Sequence, residues 1–215
     1  IKNYDDNPQL YQMYAALLED RKEYKSAVVF LTKAVDKFPS QTQLFFLLGS
    51  LHDRNGSLED AILTMKKVLE MDANHVNALN YLAYTYAEHE RSLDDAETMV
   101  RKALTFKPKD PFILDTLGWV LYKRGKLPEA VRILEQAYGV KNDEGIIAEH
   151  LGDAYYRHQL PEKAKAMYLR VVDLGNSENI ENIRQKIVSI DHQVPPSVGS
   201  RRPASLPSSA KVPAQ

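Results

Sequence analysis

The sequence predicts an all-α protein, a solenoid made from one helix–turn–helix unit repeated along the chain. Two series of small residues predict it. Alanines stand near the head of SAVVFLTKA, DAILTMKKV, DAETMVRKA, EAVRILEQA and KAKAMYLRV, at Ala27, Ala61, Ala96, Ala130 and Ala164, spaced by 34, 35, 34 and 34 residues. A second series, Ala15, Gly49, Ala83, Gly118 and Gly152, keeps the same period twelve or thirteen residues upstream. Each of its members follows an apolar or aromatic residue: Tyr14, Leu48, Leu82, Leu117 and Leu151. A fixed period of this length marks a repeat architecture, in which each unit buries its apolar face only against its neighbours.

Both halves of a unit have helical periodicity. In the fourth, Leu114, Leu117, Gly118 and Leu121 form one apolar stripe, and Leu127, Ala130, Val131, Leu134 and Ala137 form the next. The small residues let the two helix axes approach closely. Asn7-Pro8 and Asp110-Pro111 read as an N-cap followed by proline at the first helical position. Pro128 and Pro161 fall in the first turn of second helices, and Pro39 and Pro108 follow second helices as stop signals. The division is a lead-in over 1–7, then units 8–41, 42–75, 76–110, 111–144 and 145–178, the third carrying one extra residue in EHERSLDDA. NIENIRQKIVSI then supplies Ile180, Ile183, Ile187 and Ile190 as the stripe of a capping helix over 179–190. Residues 191–215 hold five prolines and five serines without periodicity and read as an irregular tail.

Composition narrows the function. With 44% apolar and 27% charged residues, the chain is that of an ordinary globular protein, and a net charge of −1 does not favour nucleic acid as a partner. No run of 18 apolar residues spans a membrane. The absence of cysteine excludes disulfides, zinc thiolates and thiol nucleophiles. The six histidines form no metal-spaced pair, and Glu149 and Asp153, one turn apart, read as a solvated or peptide-facing pair rather than a cation site. No glycine-rich phosphate loop, GxSxG or Ser/His/Asp arrangement occurs, and the repeats leave no room for a catalytic domain. We expect no enzyme, no metal and no cofactor. The charges of EHERSLDDAE are expected to be exposed at an inter-helix turn.

The 34-residue period, with Leu117-Gly118, Leu121, Ala130, Leu134 and Ala137 in its best-matching unit, resembles the tetratricopeptide repeat (TPR) family over residues 8–178. His52 and Leu121 stand where the family usually has tyrosine, and Ala73 and Asn142 replace its closing proline. The resemblance implies a right-handed superhelix whose first helices line a concave face that binds protein segments. On that face the register places Asn80 and Tyr84, then Asp115, Trp119 and Tyr122, then Glu149, Asp153 and Tyr156. Aromatic faces among carboxylates suit an extended, basic, proline-containing peptide. Packing of Trp119 between neighbouring units is the competing reading. TPR domains that clamp chaperone tails do so with lysine, asparagine and arginine; this stripe has no lysine, which disfavours an acidic chaperone tail.

The tail offers a ligand from within. It has no acidic residue beyond His192 and carries Arg201, Arg202 and Lys211, so it could enter its own groove or a neighbour's and form a homo-oligomer. NYLAYTYAEHERSLDDAETMVRKAL and DPFILDTLGWVLYKRGKLPEAV are similar to the C-terminal repeats of bacterial cell-envelope TPR lipoproteins, some of them adaptors that deliver substrates to proteases. That resemblance implies an adaptor of the bacterial periplasm or envelope rather than the cytoplasm. The chain opens on Ile1, which reads as a fragment or processed form; a signal peptide, lipidated cysteine or further repeats would lie upstream. A self-assembly module and the non-catalytic arm of a larger enzyme are the alternative functions.

Overall fold

A computed structural model describes residues 7–175 and 180–193. Among them lie eleven helices and no strand. Ten form successive pairs: α1 (Pro8–Asp20) with α2 (Tyr24–Lys37), α3 (Thr42–Arg54) with α4 (Leu58–Met71), α5 (Val76–Glu88) with α6 (Leu93–Phe106), α7 (Pro111–Lys123) with α8 (Leu127–Val140), and α9 (Gly145–Arg157) with α10 (Pro161–Leu174). The last helix, α11 (Ile180–Gln193), packs on α10. Asn7 and Asp110 cap their helices as their Asn-Pro and Asp-Pro sequences predict, accepting hydrogen bonds from the amides of Gln9 and of Phe112 and Ile113.

The turn inside each pair has a fixed geometry. Its second residue, Lys22, Gly56, Glu90, Gly125 or Gln159, has a positive φ in all five pairs. Glycine meets that demand twice, and the other three residues adopt the left-handed region at a cost of about 1 kcal/mol or more. The extra residue of the third unit lengthens this turn and puts a second positive φ at Ser92.

The small-residue series is explained by inter-helix clearance. A Cβ added at Gly118 would lie 2.8 Å from Leu134 Cδ2, and one at Gly152 would lie 2.6 Å from Tyr168 Cε1, both inside van der Waals contact. Leu134 and Tyr168 are themselves buried. The core therefore runs along the solenoid as a line of inter-helix seams rather than as one central mass.

The two ends differ. Tyr14 and Leu17 of α1 are exposed, although their equivalents Leu48, Leu82, Leu117 and Leu151, and Leu51, Thr85, Val120 and Ala154, are all buried. In the later units each first helix packs against the second helix of the preceding unit. At the other end α11 buries Ile183 and Ile190. It also runs past the boundary at residue 190 that the sequence suggested: Asp191–Gln193 are helical, and Asp191 pairs with Lys165 of α10. Arg201, Arg202 and Lys211 lie outside the described residues.

One charge departs from expectation. Glu97, read as part of an exposed charged turn, is almost fully buried and is held by Arg101, Arg124 and Lys126. Burial opposes its charge, but hydrogen bonds from Lys126 and Arg101 hold the carboxyl below the usual carboxylate range.

Candidate functional site

The first helices α5, α7 and α9 carry the predicted residues in register, one set per unit. Asn80, Tyr84, Tyr122, Glu149 and Asp153 are half-buried and Tyr156 is exposed. Asp115 and Trp119 are not surface groups. Trp119 is only 7% exposed, because it lies between Tyr122 on its own helix and His150 of α9. The ring centroids are 4.7 and 4.1 Å away, with interplanar angles of 6° and 13°. Its indole N–H donates to Glu88 of α5, so one side chain joins three units. This is the inter-repeat packing role. A planar ring with a single polar edge fills such a seam and still finds a hydrogen-bond acceptor.

Asp115 is buried because it has a buried partner. His150 Nδ1 lies 3.0 and 2.9 Å from its two carboxylate oxygens, and both side chains are nearly inaccessible. Burial works against a charge on His150; the Asp115 carboxylate overrides it, helped by Asp153 and Glu88, and the imidazole is pushed up from its ordinary value. This part of the face thus rests on a buried carboxylate–imidazole pair with the Trp119 ring stacked on the imidazole.

The C-terminal end of the face is filled from within. Lys186 of α11 places Nζ 3.0 Å from Glu149 and 2.7 Å from Asp153, and lies 5.3 Å from the centre of the Tyr168 ring. Tyr168 donates to Asp153 across 2.6 Å. Burial would lower the ammonium's affinity for its proton, but the two carboxylates raise it. Beside them Tyr122, Tyr156, Gln185 and Ser189 border a cavity of about 440 Å³. A smaller cavity of about 330 Å³ opens between α3, α5 and α7. No group of three or more His, Asp and Glu side chains able to hold a metal is present among the described residues, and no described helix is long and apolar enough to cross a membrane.

Sequence reasoning missed Glu88, His150 and Lys186. His150 follows Asp115 by 35 residues, one more than the 34 that separate these two units, so the register pairs Asp115 with Glu149 and gave no signal for His150. Lys186 gave none either, because the capping helix lies outside the period.

Pairs of helices stacked in a constant register, with one face of first helices left uncovered by the second helices, define a solenoid of repeated helix pairs. The chain belongs to the tetratricopeptide repeat family, whose model matches residues 16–75, 46–111 and 116–179. The TPR repeat-containing protein PA4667 of Pseudomonas aeruginosa is 30% identical over 145 residues, which is 67% of this chain and 24% of the relative. Protein O-mannosyl-transferase Tmtc3 of Drosophila melanogaster is 29% identical over 178 residues, 80% of this chain and 19% of its own. The chain therefore spans about a quarter or less of these curated relatives. Among solved structures, Pseudomonas aeruginosa PilF superposes with a TM-score of 0.69 at 18% identity, covering 88% of this chain and 90% of its own. MamA of Desulfovibrio magneticus gives 0.67 at 18%, covering 81% and 98%. These structures share the fold, a right-handed superhelical solenoid. Proteins of this family generally serve as scaffolds for protein interaction.

Proposed function

We propose that this chain is a non-catalytic scaffold or adaptor that holds an extended segment of a partner protein along the face formed by α3, α5, α7 and α9. The observation that carries the reading is the series of aromatic rings left accessible on that face, with Phe112 and Tyr156 exposed and Phe46, Tyr84 and Tyr122 half-buried, beside two cavities. Singly scattered apolar residues need no explanation, but rings recurring in register along a concave face do. The basic tail with Arg201, Arg202 and Lys211 is a candidate occupant, in cis or from a neighbouring copy.

The test is site-specific photo-crosslinking. A photoreactive phenylalanine analogue at Tyr156 should give covalent adducts in cells producing the full chain. The same group at Leu63, exposed on the second helix α4, should not. Equal yields from both positions would refute the groove reading. Self-assembly is favoured by one observation, the uncovered Tyr14 and Leu17 of α1, and would show as mass that rises with concentration. The match to part of a chain named as a mannosyl-transferase favours the arm of a larger enzyme; that function would add nothing catalytic within these repeats.

A further inference from the structure

The concave face is uneven. At its C-terminal end Lys186 stands between two carboxylates in the wall of the 440 Å³ cavity, and in its middle the Trp119 ring is stacked on His150. The 330 Å³ cavity between α3, α5 and α7 is open, and it is walled by Phe46, Asn80, Tyr81, Tyr84, Phe112 and Ile113. Three features of it point to an occupant.

The walls are aromatic and fixed. Phe46 lies 5.1 Å, ring to ring, from His75, which is itself held as the N-cap of α5 by accepting from the Ala78 amide. Phe112 stands on the first turn of α7 and is 45% exposed, whereas the equivalent position one unit earlier is the polar Asn77. A polar atom is also left over: the side-chain oxygen of Asn80 is buried with no hydrogen-bond partner. Asn80 is one of the residues that line the cavity, so a donor entering there would supply the partner that this acceptor lacks.

The third feature is charge. Burial pushes the Tyr81 phenol up, and the Asp53 carboxylate adds to it. Tyr84 is raised by burial and then by Glu88, Asp115, Glu149 and Asp53. Among the described residues no lysine or arginine lines the cavity. Cations on the neighbouring segments are engaged: Lys107 with Asp110, which itself lines the cavity, Lys123 with Glu90 and over the Trp119 ring, and Arg157 with the Tyr122 carbonyl and over its ring. Asp53 is exposed and forms none of the salt bridges found among the described residues. The cavity is therefore a mainly apolar pocket with one carboxylate, Asp110, in its lining, a second, Asp53, beside the lining Tyr81, and no lining cation among the described residues.

Building on the groove reading, we propose that this pocket is the groove's anchor site: it takes one apolar side chain of a partner segment that also carries a lysine or arginine, the cation lying against Asp53 and a backbone N–H of the segment donating to Asn80. The aromatic walls supply affinity through desolvation, and the carboxylate field selects the sign of charge. Lys186 shows the same preference at the other end of the face, where an ammonium rests between two carboxylates and a ring.

Random dodecapeptides displayed on phage, selected against the immobilised full chain, test this. Enriched peptides are resynthesised and titrated calorimetrically against the chain and against Phe112→Ser and Asp53→Lys. Both side chains are exposed, so circular dichroism should show both variants folded. The expected result is a consensus pairing an apolar residue with lysine or arginine, and binding weakened about tenfold or more by each substitution. An acidic consensus overturns the proposal. Binding indifferent to both substitutions but lost with Tyr156→Ala also overturns it, while leaving the groove reading intact. No enrichment at all sinks the pocket and the groove together.

Discussion

Replacing Asp115 with asparagine keeps the size of the side chain and removes the charge that His150 faces. In the native protein the His150 imidazole is raised above its ordinary value of about 6.5, so its ion pair contributes fully below that pH. The contribution is lost as pH rises through the folded-state value. In Asp115→Asn, burial is left opposed only by the more distant Asp153 and Glu88, and it pulls the imidazole down. The linkage then reverses: stability is complete above about pH 6.5 and falls as pH drops, because a buried imidazole must charge without a partner. Each proton contributes a slope of up to about 1.4 kcal/mol per pH unit. Removing one member of a buried pair costs about 3–5 kcal/mol in the pH range where the other is charged. The assay is urea unfolding of both proteins from pH 5.5 to 8.5. Circular dichroism reports the whole solenoid, and Trp119 emission reports the α7–α9 junction where its ring lies on His150. The native midpoint should decline with pH across the upper part of this range, and that of the variant should climb from pH 5.5 to about 6.5 and stay level above it. Parallel pH profiles would refute the argument that Asp115 holds the charge on His150.

Other substitutions test the packing. Gly118→Ala should cost about 1–3 kcal/mol in urea unfolding, since its Cβ would press on the buried Leu134. Leu51→Ala, at a position only 2% exposed, should cost about 2–5 kcal/mol, whereas Leu17→Ala at the equivalent, 43% exposed position should cost less than about 1. Similar losses would mean that α1 is covered in solution. Gln159→Gly removes a side chain from a left-handed turn position and should raise stability by about 0.5–1 kcal/mol, visible as a higher thermal midpoint. Because its three cations hold the Glu97 carboxyl low, its contribution is present above about pH 4.5 and lost as pH falls through the folded value; Glu97→Gln should flatten that acid limb.

The architecture was legible in the sequence because the information is local and repeated. A helical period of apolar residues, small residues at one register and proline next to a capping side chain each act within a turn or two, and five copies leave little freedom in how the units stack. The same register placed Tyr84, Tyr122 and Tyr156 on one face. What it could not decide was which polar groups on that face meet solvent and which meet each other. That depends on distances of a few ångströms across unit boundaries: Asp115 finds His150, Trp119 finds Glu88, and Glu149 and Asp153 find Lys186 from a helix outside the period. A side chain's place along a helix follows from periodicity, whereas its partner follows from how closely neighbouring helices pack. Within a unit that approach is set by Gly118 and Gly152 admitting Leu134 and Tyr168 to positions a methyl group would block, and between units by the packing of each first helix on the preceding second helix.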